Sequence, residues 1–390
     1  MNPSHPREML PRKILVVNTL GFLIAFAAWV MFGPSVRVIS QELQIGEGMA
    51  VWLKAAPILT GSLLRAPIGV VTDRLGARLV FTALLIVGAI SVAALSFATS
   101  ATQLLAGGVL MGVVGTTFVV GVQSVSSWSP ASRQGIALGI FGFGTAGTAF
   151  STLLMPLLLE QLGWRDSFRF YAILLAASAV AYWFGVRDVE RTGASPSLKS
   201  LLSPILDRRT WAFGIYYMAT FGVFVAGALC FGDLYIERYG VGMKTAGIMA
   251  TSFTLTAAAS RVPGGSLSDK FGARPVLGIS LLLTALFMAP VLLSLPLWPT
   301  VTLIFLSAIA MGIGMGATYK YIPECFPENV GAVGGLVGAM GGVAGFFLPL
   351  LGSVSKSSFG SQVAELFPLF AMILCAVLVL VLSKPGKAAA

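Results

Sequence analysis

Long unbroken stretches of apolar side chains decide most of what this chain can fold into. A helix that crosses a bilayer needs about 20 mostly apolar residues. Twelve such runs follow one another, over about 14–37, 48–71, 79–98, 102–125, 135–159, 168–187, 211–233, 244–267, 274–294, 299–322, 331–352 and 365–383. In lipid every backbone N–H and C=O must be satisfied within the protein, which leaves helices and closed barrels. Barrel strands alternate apolar and polar residues, whereas these runs stay apolar for some 20 residues at a time. Hydrophobic residues make up 56% of the 390 and charged ones only 10%, against about 25% charged in soluble domains. A soluble enzyme, a disordered chain and a disulfide scaffold are therefore excluded. The expectation is an all-α membrane protein of twelve transmembrane helices.

The longest polar break, 188–210, divides the runs six and six. The expected organisation is a tail at 1–13, a six-helix bundle at 14–187, a linker at 188–210, a second six-helix bundle at 211–383 and a tail at 384–390. Both tails and the linker fall on one side, which collects sixteen Lys and Arg against seven on the other. The positive-inside rule makes that side cytoplasmic, and it accounts for most of the net charge of +10. The first run exceeds a signal-peptide core and lacks a cleavage site, so it is expected to span the membrane. No basic cluster with interleaved aromatics points to nucleic acid. Cys230, Cys325 and Cys375 show no metal-ligand spacing, and the only histidine is His5 in the polar tail. No metal or cofactor is implied.

The halves repeat. Arg65-Ala-Pro-Ile-Gly69-Val-Val-Thr-Asp73-Arg74-Leu-Gly76-Ala-Arg78 aligns with Arg261-Val-Pro-Gly-Gly265-Ser-Leu-Ser-Asp269-Lys270-Phe-Gly272-Ala-Arg274 at an offset of 196. The same offset pairs Gly135, Gly139 and Gly142 with Gly331, Gly335 and Gly338. Parallel halves of this kind place a substrate site between them, near the midplane. Arg65 and Arg261 lie inside apolar runs, where an arginine costs about 2.5–3.5 kcal/mol on insertion scales. Asp73 is eight residues beyond Arg65, about 12 Å along a helix, and so belongs to the loop. Three roles stay open for the pair: snorkelling to the interface, pairing with backbone carbonyls at helix breaks, or facing a shared cavity that receives an anion. Duplication favours the third, and planar guanidinium forks suit a planar oxyanion.

Tyr217 and Phe221 are four apart and share a helix face. Thr117-Phe118 lies in the fourth run, and Phe22, Phe26 and Trp29 recur at helical spacing in the first. The fifth and eleventh runs, 135–156 and 331–349, are rich in glycine, which lets backbones meet closely. A narrow, dry, doubly positive pocket suits a compact anion and offers little to a sugar.

The loop motifs GxxxDRxGxR (69–78) and GxxxDKxGxR (265–274) resemble the signature of the major facilitator superfamily. The segments GLVGAMGGVAGFFLP (335–349), GFGTAGTA (142–149) and TFGVFVAG (220–227), with the two arginine segments, resemble the nitrate/nitrite porter family within it. That resemblance implies the major facilitator fold and a site for nitrate or nitrite. Arg65 and Arg261 would hold the oxygens, Phe118 and Phe221 would sandwich the ion, and Tyr217 would donate a hydrogen bond. Gly144, Gly147, Gly338 and Gly341 would permit helix sliding. Asp73, Arg74, Arg78, Asp269, Lys270 and Arg274 would form a conformational latch. Thr145 stands where the family usually has asparagine, which leaves the nitrate/nitrite preference open.

Transport by alternating access follows, without enzymatic chemistry. The lean is towards nitrate/nitrite exchange in a bacterial plasma membrane, since no titrating group lies deep in the runs. Glu324 and Asp233, near run ends, keep proton-coupled symport open. A porter for another small monovalent anion is the runner-up. An anion sensor would need an appended domain, and an intramembrane enzyme would need a nucleophile, metal ligands or paired acids at membrane depth. A monomer is expected, because the repeat closes its own cavity.

Overall fold

The computed structural model describes residues 12–189, 203–293, 295–359 and 366–382. The expected tail residues 1–11 and 384–390, and residues 190–202 of the expected linker, lie outside the described residues.

Helices account for the apolar runs one by one. We label them α1 (Arg12–Glu42), α2 (Gly48–Leu63 and Arg65–Leu75), α3 (Ala77–Leu95), α4 (Ala101–Trp128), α5 (131–162), α6 (164–185), α7 (Arg208–Tyr239), α8 (Met243–Phe271), α9 (Ala273–Val291), α10 (Leu297–Cys325), α11 (Val330–Phe359) and α12 (Phe367–Leu382). Gly163, at φ 71° and ψ 172°, separates α5 from α6 in an otherwise continuous helical stretch. By length and hydropathy alone, eight helical stretches cross a membrane among the described residues. One of the eight holds both α5 and α6. The bent α2, the short α12 and α8 complete the set; α8 carries Lys244, Arg261, Asp269 and Lys270.

Exposed apolar side chains such as Ile90, Phe184, Leu286 and Val381 form the outer surface, as expected where the solvent is hydrocarbon. Small residues fill the seams between helices, the pattern by which membrane helices gain van der Waals contact. The two most extensive crossings between the halves are α2 on α11 and α5 on α8. A Cβ on Gly69 would run into the Gly331 carbonyl oxygen, and one on Gly265 into the Gly135 carbonyl oxygen. The repeated glycines are thus a pair of backbone-to-backbone contacts related by the internal symmetry.

The loop motifs lie at one end of these crossings. Gly76 and Gly272, both at φ 86°, turn the chain from α2 into α3 and from α8 into α9, a conformation that favours glycine. Each turn leaves an aspartate facing the opposite half. Asp73 Oδ2 accepts from Ala332 N at 2.8 Å, at the start of α11. Asp269 accepts from Gly135 N and Ile136 N, both at 2.8 Å, at the start of α5. A carboxylate at a helix N-terminus satisfies orphan amides and complements the helix dipole. These four elements therefore fasten the halves together at the motif end.

Here the arrangement differs from the sequence-based expectation. Lys320, one of the sixteen cations assigned to the cytoplasmic side, is 4% exposed and sits at this end. Its Nζ donates to Ala131 O at 2.7 Å and lies 3.4 Å from Asp269 and 3.6 Å from Glu324. The motif's own Lys270 instead lies over Phe271, and Arg74 is exposed. Arg78 and Arg274 reach the last helix of their own half, donating to Trp183 O at 2.8 Å and Leu380 O at 3.3 Å. A long α10 carries Lys320 inward to Asp269, which its position near a run end did not reveal.

Candidate functional site

Four departures from α-helical geometry gather where α2, α4, α5 and α7 approach the centre. The α2 helix bends by 43° beside Leu64. Residues Gly112–Thr116 of α4 and Phe143–Ala146 of α5 tighten into 3-10 turns, and Met218–Gly222 of α7 widens into a π turn. Threonines stitch the freed carbonyls. Thr116 donates to Val113 O and Thr117 to Val114 O, both at 2.6 Å, while Thr145 donates to Gly142 O and Thr220 to Tyr216 O, both at 3.0 Å. Irregular backbone at membrane depth persists only where protein buries it or where it lines a cavity, and π turns often mark functional positions.

Arg65 and Arg261 project into this region and are 0% and 2% exposed. Neither forms an ion pair among the described residues. Arg65 Nε donates to Gly115 O, in the α4 break, at 3.2 Å. Its Nη1 donates to Gly338 O of α11 at 2.8 Å. Its Nη2 is buried without a hydrogen bond. Arg261 Nη2 contacts the Tyr217 hydroxyl at 3.3 Å and Met315 Sδ at 2.8 Å, and its Nε is buried without a partner. Of the roles left open in the sequence, pairing with carbonyls at a helix break is what Arg65 shows, and each arginine retains one buried nitrogen without a partner. Snorkelling is excluded, because both groups are enclosed by protein.

Aromatic faces surround the pair. The Arg65 guanidinium carbon lies 5.7 Å from the Phe118 ring centre and 5.4 Å from that of Phe221. The Arg261 carbon lies 5.7 and 5.6 Å from the same two rings. Both cations thus lie against the same two rings, and cation–π attraction offsets part of the charge. Tyr217 lies nearly parallel to both rings, 7° from Phe118 and 10° from Phe221. Phe22 of α1 backs Phe118, with ring centres 5.2 Å apart.

Among the glycines singled out in the sequence, Gly338 and Gly341 belong here. A Cβ on Gly338 would sit 2.9 Å from the Tyr319 hydroxyl and 3.1 Å from Arg65 Cδ, and one on Gly341 would sit 2.5 Å from the Tyr217 ring. Gly144 and Gly147 do not join them. They face α1, against the Phe22 ring and the Leu23 carbonyl. On α5 the glycine that meets the Arg261 side chain is Gly142, where a Cβ would lie 2.9 Å from Arg261 Cδ. It is the offset partner of Gly338. Thr145 is buried, and its hydroxyl is engaged by its own turn.

Four contributors went unrecognised in the sequence. Tyr319 of α10 packs edge-on to Phe118 at 4.7 Å and to Tyr217 at 4.8 Å, and its hydroxyl donates to Gly334 O at 3.0 Å. It closes the aromatic box on the side of α11. Trp29 lies 5.2 Å from Arg65 and donates to Pro57 O at 2.8 Å. Met315 supplies the sulfur on Arg261, and Gly115 the carbonyl on Arg65. Only Trp29 carried a signal, its helical spacing from Phe22 and Phe26, which also fits a packed core.

The Major Facilitator Superfamily profile matches residues 19–249 and 233–390. A relative named "Probable nitrate/nitrite antiporter NarK1", from Thermus thermophilus, is 35% identical over 92% of this chain and 88% of its own. The "Nitrite extrusion protein" of Bacillus subtilis is 32% identical over 86% and 85%. A "Probable nitrate transporter NarT" of Staphylococcus epidermidis is 31% identical over 96% and 97%. The fold is also that of the human organic anion transporter MFSD10, with a TM-score of 0.77 at 16% identity, over 97% of this chain and 100% of that one. By these matches this multi-pass membrane protein belongs to the major facilitator superfamily and, within it, to the nitrate/nitrite porters.

Proposed function

We propose that the chain carries nitrate and nitrite across a bacterial plasma membrane, exchanging one for the other by alternating access. The observation that carries this reading is the pair of idle donors. Arg65 Nη2 and Arg261 Nε are both buried without a partner. An unsatisfied buried donor costs about 1–3 kcal/mol, and more when charged. A planar oxyanion between the arginines satisfies both, because its oxygens accept from two directions in one plane. Phe118 and Phe221 suit the faces of such an ion, and Tyr217 adds a hydroxyl. A sugar or a large organic anion would need more room and more polar partners than this box supplies.

The arginines belong to different halves, so a bound anion bridges α2 and α8. Its charge offsets the repulsion between two cations and lets the halves draw together around it. The sliding contacts are the glycine crossings of α2 on α11 and α5 on α8. Asp73 and Asp269 must release Ala332, Gly135 and Ile136 for the motif end to open. The lysine and arginine bias supports a cytoplasmic position for that end and for both termini. The two halves at 14–187 and 211–383 act as the rocking units of a monomer, with the site closed by the repeat itself.

The decisive experiment uses proteoliposomes loaded with nitrite. External nitrate is expected to release nitrite with equal pH on both sides, and chloride to release none. Release that requires an imposed pH gradient overturns exchange in favour of proton-linked uptake. One observation favours that second reading: Glu324 lies half-buried beside Lys320 at the motif end, a titratable group close to the moving contact. Competition among small monovalent anions settles the substrate range, including whatever Thr145 changes.

A further inference from the structure

A groove on the outer face, remote from the arginines, carries a separate assignment. It runs between α3 and α6, encloses about 590 Å³ and is lined by apolar side chains, among them Leu79, Ile86, Ile90, Val180 and Phe184. Along α3 it extends from Leu79 to Ile90, a rise of about 17 Å. That is about half the 30 Å hydrocarbon thickness, the depth of one leaflet. The groove therefore starts at the motif end of the molecule and stops near the midplane.

Its shallow end is marked by a cation. The Arg78 guanidinium lies 4.2 Å above the ring of Trp183, which lines the groove, and Nε donates to Trp183 O at 2.8 Å. The two terminal nitrogens make no hydrogen bond among the described residues. Asp188 is close, but its carboxylate caps the backbone N–H groups of Ala77 and Arg78 and forms no ion pair with the guanidinium. One turn deeper, Thr82 also lines the groove, and its buried hydroxyl lacks a partner. Residues four apart share a helix face, so Thr82 lies about 6 Å below Arg78.

The sequence of chemistry along α3 is thus a cationic fork with two idle terminal nitrogens, then a threonine whose hydroxyl is buried behind the lining, then an apolar channel one leaflet deep. The second half does not repeat it. The offset partner of Thr82 is Gly278, and the Leu380 side chain lies over it, 3.1 Å from where a Cβ would be. Arg274 there donates to Leu380 O, and the offset partner of Trp183 is Val379.

We propose that this groove seats one acyl chain of an anionic phospholipid, with the phosphate on Arg78 and an ester carbonyl at the depth of Thr82. A free phosphate ion would leave the channel unfilled, and a zwitterionic lipid would bring a second positive charge to the guanidinium.

The test uses the full chain in phosphatidylcholine vesicles containing a small fraction of lipid with brominated chains. Bromine quenches tryptophan on contact, and the difference between wild type and Trp183→Phe isolates the Trp183 signal. Brominated phosphatidylglycerol is expected to populate the groove roughly fivefold over brominated phosphatidylcholine, the factor one surface cation confers. Arg78→Gln should bring the two lipids to parity, and Arg78→Lys should keep part of the preference. Arg74→Gln, which removes an exposed neighbouring cation away from the groove, should leave it intact. Equal quenching by both lipids in the wild type overturns the proposal. So does a preference lost equally in Arg74→Gln, which would mark a diffuse field, or one abolished by inorganic phosphate, which would mark a free-ion site. If Arg78→Gln reconstitutes poorly, native mass spectrometry of the detergent-solubilised variant replaces the quenching. Retained phosphatidylglycerol should then fall below that of the wild type, and equal retention overturns the proposal.

Discussion

Arg65 and Arg261 occupy equivalent places in the two halves, yet different atoms hold them. Arg65 is fixed by two backbone carbonyls, Gly115 O and Gly338 O, with Trp29 against it. Arg261 is held by a phenol and a thioether, Tyr217 and Met315. The offset that pairs the arginines assigns Gly21 to Tyr217 and Ala25 to Phe221, so those two rings have no counterpart in the first half. Cations and glycine seams are duplicated, whereas the surroundings that shape the pocket are not. Symmetry is kept where both halves must move alike. It is dropped where a single small ligand has to be gripped from two sides by different chemistry.

Conservative replacement of each arginine tests that asymmetry most strongly. Arg65→Lys keeps the charge but cannot satisfy two carbonyls and an anion with one ammonium. Nitrate uptake by proteoliposomes should fall about 100-fold, the equivalent of two lost charged hydrogen bonds. Arg261→Lys forfeits weaker partners and should lose about 10-fold. Equal losses, or full activity in Arg65→Lys, would show that the carbonyl bonds contribute nothing to capture.

The glycines should behave in the opposite way, alike in both halves. Gly338→Ala and Gly142→Ala each push a methyl to within about 3 Å of an arginine stem. Overpacking of this kind costs about 1–3 kcal/mol, so uptake should drop about 10-fold in both while membrane insertion, read by surface labelling, is unchanged. A difference of more than a few fold would mean that the seams are not equivalent.

Loss of single hydroxyls separates the ligand side from the framework side. Tyr217→Phe removes the phenol beside Arg261 and should raise KM about 5-fold, for one hydrogen bond of about 1 kcal/mol. Tyr319→Phe removes only the bond to Gly334 O. It should slow turnover with KM nearly constant, and a rise in KM instead would place the Tyr319 hydroxyl on the ion.

The smallest effect is expected at the motif end. Asp269 accepts from two amides and neighbours Lys320, and Asp73 accepts from Ala332 N. Asp269→Asn should shift the population towards an open motif end about 3-fold, as a helix-terminus charge of about 0.5–1 kcal/mol allows. Asp73→Asn should shift it less. Spin-label distances between α2 and α11 and between α5 and α8 report both populations, and a larger shift in Asp73→Asn would reverse the assignment.

Much of this was legible in the residues. Twelve apolar runs gave twelve helices, because hydrocarbon leaves the backbone almost no other way to satisfy itself. The arginine pair stood out because charge at that depth is expensive, and Phe118, Phe221, Tyr217, Gly338 and Gly341 do gather around it. Tyr319 and Met315 were missed. A tyrosine or a methionine in an apolar helix carries no penalty that would flag it, and neither obeys the repeat. Gly144 and Gly147 were assigned with the site on resemblance, yet their position on α5 turns them towards α1. Lys320 counts only towards the cytoplasmic charge in the sequence, and its approach to Asp269 and Ala131 depends on how α10 packs on α8 and on the other half.

What the amino-acid order determined on its own was the set of spans, their grouping into a duplicated pair, and the presence of two cations without local counter-charge. Each depends on short-range rules: bilayer thickness, backbone satisfaction and the desolvation of charge. Which donors stay idle, which glycine faces which arginine, and which helix an aspartate fastens were decided only in three dimensions. They depend on contacts between residues far apart in the chain, such as Arg65 with Gly338 and Asp269 with Gly135. A one-turn slip of a helix would exchange those contacts without altering any apolar run.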